Sequence, residues 1–144
     1  MPPSSIVKIL PCDRLWPLHT AMATRRIEQA CAASLSAHTL MRRAGDAVAR
    51  LSRALAPHAT HVWVAAGPGN NGGDGLEAAA QLQMAGLQVS VTWLGDATRA
   101  PADAKDALER AQAAGVRIEA ELPGDAVKCD FAIDALLGSV NCSA

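Results

Sequence analysis

Residues 67–75 read GPGNNGGDG: five glycines, a proline, two asparagines and an aspartate in nine positions, set between an apolar run and an alanine-rich stretch. Gly67, Gly69 and Gly72 satisfy the spacing G-x-G-x-x-G, so backbone N–H groups at the start of a following helix could hold a pyrophosphate. The same spacing also serves a tight strand-to-helix turn with no ligand. No Gly-Lys-Ser or Gly-Lys-Thr closes the stretch, which excludes a Walker phosphate loop. Glycine does not account for Asn70, Asn71 and Asp74. One Asn and the Asp have an ordinary reading in helix caps and turns. Three together offer carbonyl and carboxylate oxygens beyond that need, a donor set suited to potassium, magnesium or calcium and not to soft metals.

A second acid stands out far along the chain. Asp134 sits inside the apolar segment FAIDALLG, and a buried carboxylate must be paired, metal-bound or protonated. It could also serve structure alone, by accepting hydrogen bonds from a neighbouring loop. Asp96, after a predicted strand, could bind a ribose in a dinucleotide fold, or could simply cap a turn. His19, His38, His58 and His61 share no spacing with a nucleophile or a metal partner and read as surface or packing residues. Trp63 and Trp93 read as strand core.

The elements that must position these residues follow from periodicity. MATRRIEQACAA (22–33) is a first helix opened by Thr20 or Thr24. Leu40, Ala44, Val48, Leu51 and Leu55 then recur at steps of four and three, as the core-facing stripe of a second helix. Gly45 costs that helix about 1 kcal/mol against Ala, which implies that another backbone packs closely there. HVWVAA, QVSVTWL, VRIE and DFAIDALLG read as strands, separated by helical LEAAAQLQMAG and APADAKDALERAQAAG. Gly86 and Gly115 stand at the two helix ends. Strands alternating with helices predict right-handed crossovers and an α/β fold, Rossmann-like, three-layer and doubly wound, with a mostly parallel sheet in the order 3-2-1-4. Ligands bind such sheets at the carboxyl ends of the strands where the winding reverses. That places GPGNNGGDG opposite Asp134.

The 144 residues suit one domain, and the 13 Lys and Arg against 14 Asp and Glu form no like-charge block. A nucleic-acid partner is therefore disfavoured. Cys12, Cys31, Cys129 and Cys142 are scattered, as expected of reduced thiols in a cytoplasmic protein. No apolar run reaches the roughly 18 residues of a membrane span. Residues 1–19, broken by prolines, read as an irregular leader and not a signal peptide.

GPGNNGGDGLEAA after a short strand, SLSAHTLMRRAGDAVA upstream and CDFAIDALLG downstream resemble the YjeF-type N-terminal domain, from about Thr20 to Gly138. Arg42 departs from the acid usual there. The resemblance implies NAD(P)H-hydrate epimerase activity, interconverting the R and S forms of hydrated NADH and NADPH so that a partner or fused dehydratase can restore the cofactor. It implies that Asn70, Asn71, Gly72, Gly73, Asp74 and Gly138 line the substrate site and that Asn71 and Asp134 ligate potassium. The family's proton-transferring acid lies in an Asp-Ile-Pro-Ser-Gly-like segment that this sequence lacks, so no catalytic residue is assigned. The expectation is a domain over residues 20–138, incomplete in its C-terminal part, with residues 139–144 a non-family tail. Such a chain alone would have little activity, and its open sheet edge invites a homodimer. Two other readings are a non-catalytic nucleotide-binding or scaffold module and an NAD-dependent oxidoreductase that uses Asp96.

Overall fold

The computed structural model describes residues 19–121 and 128–138. All of the leader over residues 1–19 except His19, and the tail over residues 139–144, lie outside them. The elements in chain order are α1 Ala21–Ala32, α2 Thr39–Leu55, β1 His61–Ala66, α3 Asn70–Met84, β2 Gln88–Trp93, α4 Ala102–Ala113, β3 Arg117–Glu119 and β4 Phe131–Ala135. The strands form one sheet in the order β3-β2-β1-β4, and every pairing is parallel. Both the order and the α/β class are those read from the sequence.

Local chemistry sets the element ends. Thr20 Oγ1 accepts the Ala23 N–H at 3.2 Å and opens α1. Gly86 and Gly115 take φ of 93° and 80°, the left-handed backbone that ends a helix without a Cβ penalty. Behind each, a pair of N–H groups returns to the last helical turn: Gly86 and Leu87 to Gln83 and Leu82, Gly115 and Val116 to Gln112 and Ala111.

Strand alternation sorts the sheet into two faces. Val62, Val64 and Ala66 of β1 align with Val89, Val91 and Trp93 of β2, and with Phe131, Ile133 and Ala135 of β4. The core gathers on this face, joined by Met41 and Ala49 of α2, Leu76, Ala79 and Leu82 of α3, and Ala107, Leu108 and Ala111 of α4. The other face carries Trp63, Ser90, Thr92, Glu119 and Asp134 in register, with Trp63 Nε1 donating to Thr92 Oγ1 at 3.0 Å. A cavity of about 950 Å³ lies against it. Among the described residues, α2, α3 and α4 all cover the first face, so two layers of the expected three are seen.

Two expectations need correction. The stripe Leu40, Leu51 and Leu55 does not face the core: these residues are 36%, 49% and 68% exposed. The buried face of α2 is Met41, Gly45, Ala49 and Ser52. Small residues win that face because α2 lies against α3 so closely that a Cβ on Gly45 would sit 2.5 Å from Glu77 Cβ and 2.9 Å from Ala78 N. The close backbone approach inferred from Gly45 is therefore present. Asp134, read as a buried carboxylate, is exposed, because β4 lies at the edge of the sheet among the described residues.

At the same α2–α3 seam, Glu77 is fully buried, with its oxygens 2.8 and 3.0 Å from Arg110 of α4 and 2.8 Å from Gln81 Nε2. A carboxylate without water survives there because each oxygen has a charged or amide donor. No helix among the described residues is long and apolar enough to cross a membrane.

Gly45→Ala tests this packing. Helix propensity alone would add about 1 kcal/mol of stability. We expect a net loss of roughly 1–3 kcal/mol from overpacking instead, read as a lower urea midpoint, and a raised midpoint contradicts the seam described.

Candidate functional site

The carboxyl ends of β1 and β4 converge because glycine allows it. Gly67 N donates to Ala135 O at 3.0 Å. A Cβ on Gly67 would overlap Leu136 O, and one on Gly72 would overlap Gly67 O. Gly75 lets α3 settle on the sheet, since its Cβ would lie 2.5 Å from Ala135 Cβ. Three of the loop's five glycines are thus required by the protein's own packing, and a Cβ on Gly73 would press on Met41 and Ala104. Gly69 is different: a Cβ there meets nothing within 4 Å.

Gly69 is also the residue before α3, and no side chain caps that helix. The first N–H groups of a helix have no intrahelical acceptor and carry the positive end of its dipole. Here they open on a crevice of about 630 Å³, lined by Pro68–Asn71, by Leu136, Leu137 and Gly138, and by His19, Thr24, Arg25 and Glu28. Asn71 crosses it, its Nδ2 donating to Leu137 O at 3.0 Å. The two segments that the sequence singled out are therefore bonded to each other at the reversal of strand order.

The predicted site residues divide into four groups. Asn70, Asn71 and Gly138 line the crevice. Gly72 and Gly73 are buried beneath it, with Gly73 packed on Met41 and Ala104. Asp74 is half-buried in the same helical turn, on the side of α4 and α1. Burial first, then the negative charges of Asp103 and Glu28, lift its carboxyl from 3.8 to about 6. Asp134 faces away from α3, outside the crevice lining, and its Oδ1 accepts the Leu136 N–H at 3.0 Å. It is an exposed strand-end acid, not a buried one.

Asp96 is committed to a turn. Its Oδ1 accepts the Thr98 hydroxyl at 2.7 Å and the Thr98 N–H at 2.8 Å, bonds that hold its carboxyl below the usual range. That is the capping role, and it leaves the ribose-binding reading without support. The wall contributed by α1 was missed from the sequence. Ala21, Thr24, Arg25 and Glu28 recur at helical spacing on one face, and no residue of α1 is buried, so a polar stripe over a glycine loop was the available signal.

Known proteins resemble this chain in sequence and in fold. The family described as YjeF-related protein N-terminus matches residues 37–142, so the match continues past Gly138. An NAD(P)H-hydrate epimerase of Bordetella pertussis is 41% identical over 121 residues, which cover 81% of this chain and 52% of that protein. One from Rhodopirellula baltica is 37% identical over 106 residues, covering 69% and 42%. The bifunctional NAD(P)H-hydrate repair enzyme Nnr of Hyperthermus butylicus is 41% identical over 109 residues, covering 69% and 20%. The chain spans about half the length of the Bordetella relative and less of the other two. The crystal structure of the yeast protein YNL200c superposes with a TM-score of 0.73 at 24% identity, covering 85% of this chain and 57% of that one; it shares the fold.

The raised Asp74 carboxyl has a measurable consequence. A group that binds its proton more tightly when folded favours the folded state at low pH, and that contribution is lost as pH rises from 3.8 through about 6. Asp74→Asn should flatten this part of the stability profile and make the protein more stable than wild type at about pH 7, by urea denaturation. A variant less stable than wild type at that pH contradicts the assignment.

Proposed function

The chain belongs to the YjeF-related N-terminal family, and we propose that the protein carrying it interconverts the R and S forms of hydrated NADH and NADPH. The observation that carries this reading is the Asn71–Leu137 hydrogen bond at the mouth of an uncapped helix. It joins the Asn-Asn-Gly-Gly-Asp loop to the end of β4 around a space open to an anionic nucleotide. The names of the relatives supply the substrate and the reaction.

In this reading Asn70 and Asn71 bind and orient the substrate, and the N–H end of α3 receives its phosphates together with the backbone at Gly138. Gly72 serves by holding that helix end against Gly67 just past β1, and Gly73 by letting α2 and α4 close on it. Gly69, free of any steric demand from the chain, is where the ligand backbone approaches. Asp74 stands one turn behind Asn70 and holds or releases a proton near pH 6. Changing configuration at the hydrated carbon needs proton transfer, and we assign no residue of this chain to that step.

Asn71, in the crevice lining, and Asp134, outside it near the end of β4, are also our candidates for a potassium ion. The donors are both oxygen, as a hard cation requires. With Asn71 Nδ2 committed to Leu137, the atom it offers a cation is Oδ1, and Asp134 keeps Oδ2 beside the bond from Leu136. A bound potassium ion would supply fixed positive charge to an anionic ligand. We further place the protein in the cytoplasm as a homodimer, acting ahead of a hydrated-nicotinamide dehydratase that is either separate or fused.

Asn71→Ala tests the reading. In the whole protein, epimerisation of hydrated NADPH followed by chiral separation should lose about tenfold or more in kcat/KM, equivalent to ~1.4 kcal/mol. An unchanged kcat/KM, or no epimerisation by the wild type, overturns it.

A further inference from the structure

The first turns of α2, α3 and α4 meet at Gly73, where a Cβ would lie 2.6 Å from Met41 Cε and 3.0 Å from Ala104 Cα. Both neighbouring helices therefore press on α3 one residue before Asp74. At this junction His38, the residue before α2, takes φ 63° and ψ 2°, and it is the one non-glycine residue with positive φ among those described. Left-handed backbone in a residue with a Cβ persists only where its surroundings hold it. What holds His38 is Asp103, on the first turn of α4, whose Oδ1 lies 2.5 Å from His38 Nδ1. An ionised carboxylate only accepts, so Nδ1 carries the hydrogen. Neither side chain is on open surface, at 27% and 46% exposure.

We propose that His38 and Asp103 are a positioning pair that sets the charge of Asp74, and through it the affinity of the crevice for an anionic ligand. The proposal rests on the functional reading above for the identity of that ligand. Asp74 and Asn70 stand four residues apart on one face of α3, so the acid lies directly behind the residue that meets the substrate. An ionised Asp74 there cancels part of the positive helix end that a phosphate needs. A neutral Asp74 leaves it intact.

The charges around Asp74 come from every helix packed on it. Glu28 of α1 and Asp103 of α4 are both negative and both keep the Asp74 carboxyl protonated to higher pH, after burial itself. His38 of α2 acts through Asp103, because the Nδ1–H it donates to that carboxylate offsets part of the field it casts on Asp74. Arg42 and Asp106, one turn farther along the α2–α4 seam, neutralise each other at 3.1 Å. Lys105 is 3.4 Å from Thr98 O. Removing Asp103 and removing His38 should therefore move Asp74 in opposite directions, whereas a purely structural strap would give both losses the same sign.

The test uses Asp103→Asn, which keeps the shape of the side chain, and His38→Asn, which tolerates the left-handed backbone. The Asp74 carboxyl carbon is followed by NMR in the whole protein, assigned by its loss in Asp74→Asn, and KM for hydrated NADPH is measured across the same pH range. We expect the midpoint to fall by about one unit in Asp103→Asn, with a higher KM near pH 6. In His38→Asn the midpoint should rise and KM should fall. Midpoints that stay put, or move in the same direction in both variants, overturn the proposal. Opposite midpoint shifts with an unchanged KM profile overturn its link to the crevice. A wild type that does not epimerise hydrated NADPH defeats the functional reading instead, and the two midpoints still decide the pairing.

Discussion

The site depends on contacts that only glycine can make. Where β1 ends, the backbone of Gly67 lies against Leu136, Gly72 folds back on Gly67, and Gly75 lets α3 rest on Ala135. Each is a place where a single methyl group would collide with backbone or with a core side chain, in an interior packed too densely to absorb it. Together they fix the start of α3 at the point where the sheet reverses its winding. The polar chemistry follows from that placement: Asn71 can reach Leu137, and the helix end can open on a crevice, because the turn between β1 and α3 has no bulk.

The same economy governs the helical layer. Gly45 brings α2 onto α3, and the buried Glu77 is held there by Arg110 and Gln81. Close approach leaves no room for leucines at that seam, so Leu51 and Leu55 turn outward while Met41 and Ala49 turn in. The first turns of the three helices are thereby drawn together around Asp74. Its half-burial and acidic surroundings are a result of packing as much as of local sequence.

Much of this was legible in the residues. Strand order, parallel pairing and the left-handed Gly86 and Gly115 follow from short β-branched runs, alternation with helices and glycine at helix ends. The close approach at Gly45 followed from the cost of glycine inside a helix. The face of α2 was misjudged because periodicity ranks residues by hydrophobicity, while the seam selected for smallness. Asp134 was expected to be buried because its neighbours are apolar, yet β4 lies at the sheet edge among the described residues. The pairing of His38 with Asp103 could not be foreseen, since it joins residues 65 apart in sequence through helix packing alone. The glycine spacing read either as an approach for ligand or as a tight strand-to-helix turn; in the structure most of its glycines answer to the protein's own packing, and a Cβ on Gly69 alone among them meets nothing within 4 Å.

The most direct test is a crystal structure of the whole protein with hydrated NADPH and potassium. This account predicts the nucleotide phosphates against the N–H groups of Asn70–Gly72 and Gly138, with the chain unstrained over Gly69 and Asn71 still bonded to the end of β4. Nucleotide bound on the opposite sheet face, along Trp63, Ser90 and Thr92, would contradict it.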